Sequence, residues 1–297
     1  MVGFSNDGTG LSLGGSLSLG KNGLTLNTDG TTLYGRGLTL LGAVPPAVAL
    51  WATAVVANGG SVSTARLAIV STFVVAEQAS GAWYLTDDYW PLWGENAPQA
   101  LTSLKQRRLA TAVNTPTFTT DRGYAFNGTT QYINTGFIPS THGVNCTGAN
   151  QRLGVYERTN VNSTGSSAGV LDAAGRNLII NNRTGTTALA RANSLTASFT
   201  LSLADSSGLK AASRAGGSTT VKLFDRGVTL TNVTIGASNV VPTRAIYVGC
   251  FNNVGTAAGF RASSVGFDVV GGPLSDAQEL AQYNAIQAWA TSVGANV

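Results

Sequence analysis

The 297-residue chain carries a formal charge of +4, from 18 basic and 14 acidic side chains, and pairs 11% charged residues with 43% hydrophobic ones. So apolar a chain buries a substantial core and is not disordered, while its charge content is under half of the ~25% usual for soluble domains. Arginines scattered singly from Arg122 to Arg261 and only two cysteines, Cys146 and Cys250, argue against nucleic-acid binding, a disulfide framework and a His/Cys metal site.

Residues 1–43 repeat a short phrase: Gly10-Leu11-Ser12-Leu13, Ser16-Leu17-Ser18-Leu19, Gly23-Leu24-Thr25-Leu26 and Gly37-Leu38-Thr39-Leu40. Each is a β-like alternation of small or polar residues with leucine, bounded by Gly, Asn or Asp. Units so short cannot bury their leucines alone and need stacking or neighbouring chains. The repeat is similar to the x-G-L-x-φ units of triple β-spiral shafts in viral fibres; the alternative is an extended arm that pairs along a sheet edge or docks on a partner. Both place Leu11, Leu13, Leu17, Leu19, Leu24, Leu26, Leu38 and Leu40 in an interface, since exposed leucine pairs aggregate. The N-terminal Met1-Val-Gly-Phe-Ser-Asn-Asp-Gly lacks a signal-peptide pattern, and the longest apolar run, Ala47 to Ala57, is short of the ~20 residues that span a bilayer. Synthesis in a host cytoplasm without membrane insertion is expected.

Residues 44–112 read as a helical region. After Pro45-Pro46, Ala47 to Ala57 is helical with Leu50, Trp51, Val55 and Val56, and Asn58-Gly59-Gly60 stops it. Ser61 or Ser63 caps a second helix with Leu67, Val70, Phe73 and Val74 on one face, giving an αα-hairpin. Trp83, Tyr84, Tyr89, Trp90 and Trp93 follow in eleven residues; flat aromatic faces serve either to fill a core or to stack on a sugar. Asn96 caps a third helix with Leu101, Leu104 and Leu109 inward, on which Lys105-Gln106-Arg107-Arg108 is a solvated face.

From residue 113 to 297 the signal is β until a final helix. Tyr124 and Phe126, then Asn127-Gly128, then Tyr132, Ile133 and Phe137 predict a hairpin within Asp121–Ser140. Short strands follow at 153–156, 170–171, 178–180, 198–203, 219–224, 228–235, 245–251 and 264–270, broken by Gly, Asn and Asp turns. Ser275 and Gln278 predict a capping box, and Leu280, Tyr283, Ile286, Ala290 and Val293 the buried face of the last helix. Phe126 to Gly136 resembles the opening phrase F-[ND]-G-x-x-x-Y-[IV]-x-[TI]-G of concanavalin A-like (laminin-G-like) jelly rolls. The last strand, then Leu274-Ser275-Asp276-Ala277 and a Tyr-bearing helix, resembles their closing element, with Glu279 one place beyond the usual acidic position. The expected fold class is mainly β: an antiparallel concanavalin A-like jelly-roll sandwich preceded by a helical region and a Gly/Leu-rich arm. The helical region also resembles the companion segment of uncharacterised tailed-bacteriophage virion proteins.

No catalytic constellation is visible. The single histidine, His142, has no G-x-S-x-G serine, and none of the four glutamates, Glu77, Glu95, Glu157 and Glu279, has an acid two or three places away on a strand. Asp87-Asp88, if on a strand, point to opposite faces. The chain is therefore expected not to be an enzyme, with glycoside hydrolysis the lesser alternative. No cofactor is expected; the family resemblance implies loop calcium, for which Asp121, Asn127 and Asp172 are the candidates, with Asn134 and Asn252-Asn253 beside them. The resemblances imply a structural virion protein, a capsid decoration, head-fibre or tail-fibre subunit on the virion surface. Its partners would be phage capsid or tail proteins and its own copies, a trimer favoured. The alternative is a glycan-binding module recognising bacterial surface polysaccharide through its sandwich loops or through the surface of Trp83, Tyr84, Tyr89, Trp90 and Trp93.

Overall fold

The computed structural model describes residues 18–19, 24–26, 33–35, 38–39, 44–181, 187–193, 201–234 and 240–297. Of the expected attachment residues, Leu11, Leu13, Leu17 and Leu40 lie outside this set, and for Leu19, Leu24, Leu26 and Leu38 only the backbone is described. The chain divides into two units, residues 1–45 and 46–297. In the first, β1 (Ser18–Leu19), β2 (Leu24–Leu26), β3 (Leu33–Gly35) and β4 (Leu38–Thr39) pair in sequence as an antiparallel meander.

The second unit opens with the helical hairpin, α1 (Pro46–Ala57) and α2 (Thr64–Ser80). Gly59 takes φ 82° just after α1, a conformation that costs glycine little. Ser63 caps α2 by accepting the Arg66 N–H at 3.0 Å. One turn, α3 (Ala82–Leu85), leads into β5 (Thr86–Trp90), and Asn96 caps α4 (Ala97–Leu101). Leu104 is buried, but Leu109 is half exposed, and Lys105 to Arg108 form a turn beyond α4 rather than part of a helix. Next come β6 (Thr111–Val113), β7 (Thr117–Thr119), β8 (Gly123–Ala125), β9 (Tyr132–Asn134) and the single turn α5 (Pro139–His142). The middle of the chain supplies β10 (Gln151–Glu157), β11 (Ala168–Leu171), β12 (Asn177–Asn181), β13 (Thr187–Ala192), β14 (Leu201–Ser202) and β15 (Gly208–Arg214). Then follow β16 (Thr220–Asp225), β17 (Val228–Thr234), β18 (Tyr247–Val248), β19 (Phe251–Asn253), β20 (Thr256–Ala258), β21 (Ser264–Gly271) and α6 (Asp276–Ser292).

The fold is mainly β, two sheets closed on each other as a sandwich. Among the described residues the first runs β17-β16-β15-β10-β21-β8-β7, with β5 also on β21; the second runs β14-β13-β12-β11-β18-β9-β6, with the β19–β20 hairpin against β11. Pairing is antiparallel except for β19 on β11. Leu153, Val155, Ala212, Leu223, Val265 and Val270 of the first sheet meet Ile133, Val170, Leu178, Ile180, Ala190 and Val248 of the second in one core. The helical stretch shares it: β5 enters the first sheet and β6 the second, so residues 46–297 form one unit rather than a helical region and a separate jelly roll.

The Asn127-Gly128 turn does not make the expected hairpin. β8 belongs to the first sheet and β9 to the second, so the turn carries the chain from one sheet to the other. Asn127 shapes it by accepting the N–H groups of Thr129, Thr130 and Gln131 through Oδ1 at 3.0, 3.0 and 3.2 Å. Strands β5 and β6, in a stretch read as helical, and the short β20 were missed, as were β13 and β15, both rich in alanine and carrying charges.

Helices α2 and α6 cover the outer face of the first sheet, where Phe73, Tyr89, Trp93, Phe267 and Trp289 interlock edge to face. A Cβ on Gly266 would stand 2.4 Å from the Trp93 ring, so glycine leaves the room that ring needs against β21. The Ser275–Gln278 capping box starts α6 as expected. Its buried face differs: Glu279, Gln282, Ala285, Ile286, Trp289 and Ala290 turn inward, and Leu280 is 43% exposed.

Candidate functional site

The first candidate surface is the α1–α2 hairpin. Trp51 anchors α1 through its indole N–H to the Thr102 carbonyl at 3.1 Å, and Asn58 donates to the Thr102 hydroxyl at 3.0 Å. Residues 46–80 hold two charged side chains, Arg66 and Glu77. Both turn inward. Arg66 is buried, ion-paired with Asp121 and bonded to the Trp93 carbonyl at 3.0 Å. Glu77 is buried, accepting the Tyr89 hydroxyl at 2.6 Å and the Gln282 amide at 2.7 Å; burial raises its pKa against those bonds. What remains outside is uncharged and largely apolar: Leu50 is 53%, Val56 61% and Val75 55% exposed, among Ala49, Ala65 and Ala76. Beside it, between α2 and α6, a groove of about 210 Å³ has alanines on its walls and Phe73 and Trp289 below.

The Trp83–Trp93 cluster lies inside. Tyr89, Trp90 and Trp93 are fully buried and Trp83 nearly so, leaving Tyr84 alone at the surface. Burial is dictated by their neighbours: Trp83 stacks on Tyr89 at 5.5 Å, and the Lys105 ammonium sits 5.0 Å over the Trp83 ring while bonding the Trp83 and Thr86 carbonyls. Burial lowers the Lys105 pKa, and the charges of Asp87 and Asp88 oppose that.

The candidate calcium oxygens are held by the chain's own donors. Asp121 pairs with Arg66, and Asn127 builds its turn. Asp172 accepts the N–H groups of Ala174, Arg176 and Thr243 and pairs with Arg176 at 2.6 Å. Asn134 accepts the Gly136 N–H, and Asn252 accepts that of Gly255. Among the described residues no group of three or more His, Cys, Asp or Glu could hold a metal ion. His142 accepts the Ile138 N–H at Nδ1, and burial, with the Arg108 charge, lowers its pKa. Both cysteines are free and buried; burial pushes the Cys250 thiol up to about 12.

The alternation expected of the two acids on β5 is broken by a bulge, the register against β21 passing from Asp88 to Thr86 across one step of β21. Asp87 accepts the Asn145 and Cys146 N–H groups at 2.8 and 2.7 Å. Asp88 accepts those of Tyr89, Lys105 and Gln106 at 2.9, 3.0 and 3.2 Å, and burial raises its pKa to about 6. Asp268 stands opposite Trp90 and Val155 and Asp88 opposite Val270, so both carboxyls face the sandwich interior. Neither Asp268 oxygen meets a hydrogen-bond donor, and burial, then the Asp88 charge, lifts its pKa to about 8.

Residue patterns gave no sign of one further cluster. Tyr132 of β9 stacks on Tyr247 of β18 with ring centroids 4.6 Å apart, and Phe260 tilts against Tyr132 at 6.3 Å. The three come from distant parts of the chain and meet only because β9 pairs with β18.

No protein-family model matches the chain, and no curated protein matches it. Solved structures similar to it include a Trypanosoma rangeli sialidase in complex with the inhibitor DANA, at 11% identity over 73% of this chain and 38% of that one, TM-score 0.45. A mutant of that sialidase displaying trans-sialidase activity shows 12% identity over 75% of this chain and 40% of that one, TM-score 0.47. Domain 4 of AbnA, a GH43 extracellular arabinanase from Geobacillus stearothermophilus, in complex with arabinotriose, shows 12% over 66% and 97%, TM-score 0.42. The chain spans about two fifths of the sialidase chains it matches. These similarities concern the β-sandwich and nothing finer. Several of the similar proteins are enzymes, and on that finding the expectation that the chain is not an enzyme is corrected.

Proposed function

We propose that this chain is a structural subunit of a larger particle, of the decoration or fibre kind found in tailed-bacteriophage virions. It would be seated by its N-terminal arm and helical hairpin and would display the β-sandwich. The observation that carries this reading is the hairpin surface: both charged side chains of residues 46–80 are turned inward, and Leu50, Val56 and Val75 are turned out. Surfaces that face water usually carry ~25–35% charged residues, and an apolar patch this free of charge marks a contact. The leucine phrases of the arm support the same reading, each Leu contributing ~1.5–3 kcal/mol when buried. The test is mass spectrometry of purified particles, in which the chain is expected as a fixed multiple per particle. Deleting residues 2–43 is expected to remove it; undiminished incorporation of the shortened chain would refute the arm's role.

A second reading, recognition of bacterial surface polysaccharide, is favoured by Tyr132 and Phe260, two half-buried rings that meet beside the buried Tyr247 and whose flat faces suit sugar rings. It predicts signal on a glycan array, with or without calcium, that drops at least tenfold in Tyr132→Ala. A blank array for the parent chain counts against it, and release of reducing sugar from an arrayed polymer would make the protein a hydrolase.

A further inference from the structure

We infer that the outer face of the second sheet around Tyr132 is a binding site for acidic saccharides. The inference rests on the saccharide reading above and names the class of sugar that this face takes. Strand alternation sets the face. Ile133 and Val248 point into the core, so their neighbours Tyr132, Asn134 and Tyr247 point outward. Tyr247 is buried against the Tyr132 ring, centroid to centroid 4.6 Å. Phe260 stands 6.3 Å from Tyr132, its plane tilted by 57°. Two half-buried rings at such an angle form a corner, one flat face to stack on and one to lean against.

The polar groups at this corner are donors. Asn134 lies directly opposite Tyr247 on one side and the exposed Thr111 on the other, all on one face. Its Oδ1 already accepts the Gly136 N–H at 3.0 Å, which leaves the amide NH2 to offer. Arg244 is exposed, and among the described residues no carboxylate pairs with it. Its charge reaches the corner: burial, then the adjacent Tyr132 hydroxyl, raises the Tyr247 pKa, and Arg244 opposes that. Asp172, which accepts the N–H of the neighbouring Thr243, is neutralised by Arg176 at 2.6 Å. Arg244 therefore leaves this edge of the sheet positive. Neutral sugars present hydroxyls that donate as well as accept, so a site for them supplies acceptors. An unpaired guanidinium and an amide NH2 only donate, and they match a carboxylate or sulfate carried on a sugar ring.

The experiment is a glycan array probed with the full chain. Hexuronic-acid saccharides are printed beside their methyl esters, and sulfated saccharides beside their desulfated forms. Signal is expected on acidic members, at least tenfold weaker on the neutral member of the same pair, and falling as salt is raised. The pair that responds shows which anion is bound. Arg244→Gln is expected to lose at least tenfold on acidic members and nothing on neutral ones. Its unfolding midpoint should stay that of the parent, because the side chain is exposed. Arg107→Gln, exposed at the turn beyond α4, is expected to bind as the parent does. Equal signal within each pair, signal on neutral saccharides alone, or undiminished binding of acidic members by Arg244→Gln would overturn the inference and leave the saccharide reading standing. A blank array would sink both.

Discussion

Arg152→Met is expected to lower unfolding stability by about 3–5 kcal/mol, the usual cost of stranding a buried charge. Arg152 is 1% exposed on the outer face of β10 and donates through Nε and Nη2 to both Glu279 oxygens at 2.7 Å, across the seam between the first sheet and α6. Glu77 of α2 lies within reach of the same charge. One guanidinium therefore faces two buried carboxylates on two helices, and removing it leaves both to find protons or water. Methionine keeps the length of the side chain, so lost packing is a small part of the cost. The paired change, Arg152→Met with Glu279→Met, is expected to recover most of the loss, because the price of the bridge is desolvation rather than missing contacts. Urea unfolding of the parent and the two variants decides it. A single variant within about 1 kcal/mol of the parent would show that the seam is held by the Phe73–Trp93–Phe267–Trp289 rings instead.

How much of this was legible in the sequence divides by range. Signals complete within a few residues held: Ser63, Asn96 and the Ser275–Gln278 box cap helices where expected, because each satisfies backbone groups three residues away. The Asn127-Gly128 signal fixed the turn but not its destination. Local φ preference is the same whether the strands on either side pair with each other or, as here, with β21 and β18.

Signals that depend on distant partners failed where charged or polar residues turn inward. Strand β15 was not expected; its Lys210 and Arg214 both sit inward, the first on Asp225 at 2.8 Å and the second on the carbonyls of Ala192, Asn193 and Ser218. Glu279 and Gln282 likewise displaced Leu280 from the buried face of α6 because Arg152 and Glu77 await them. Of the candidate site, the aromatic cluster at Trp83–Trp93 was visible and its burial was one of the two duties foreseen. The charge-free hairpin was visible as composition, but that its two charges turn inward depends on Asp121, Tyr89 and Gln282, which only the fold brings near.

Stability is expected to fall as pH rises from about 5 to about 8, with Asp268 the main cause. Its carboxyl lies in the sandwich interior without a donor, and its pKa rises from 3.8 to about 8, chiefly by burial. A group whose folded pKa is raised contributes stability in full below its unfolded value and loses it as pH climbs through the folded one, since only the folded state keeps the proton in between. Asp88, at about 6, acts with the same sign over the lower part of this window, as do Glu77 and Glu157, both raised by burial. Glu95, Asp172 and Asp205 are lowered, so their opposite effect is confined to pH below the ordinary carboxylate range. The opposite effect of His142 is confined to pH below its usual 6.5. Above that point Asp88 has largely titrated and Asp268 has not. Asp268→Asn should therefore match the parent below about pH 4, where Asp268 is protonated in both states, and flatten the decline between pH 6.5 and 8 by up to ~1.4 kcal/mol per pH unit, the weight of one proton. Unfolding curves taken across that range measure it directly. Parallel profiles for parent and variant would mean that Asp268 meets water or a donor, and that the seam where β5 joins β21 is not the dry interior it is built to be.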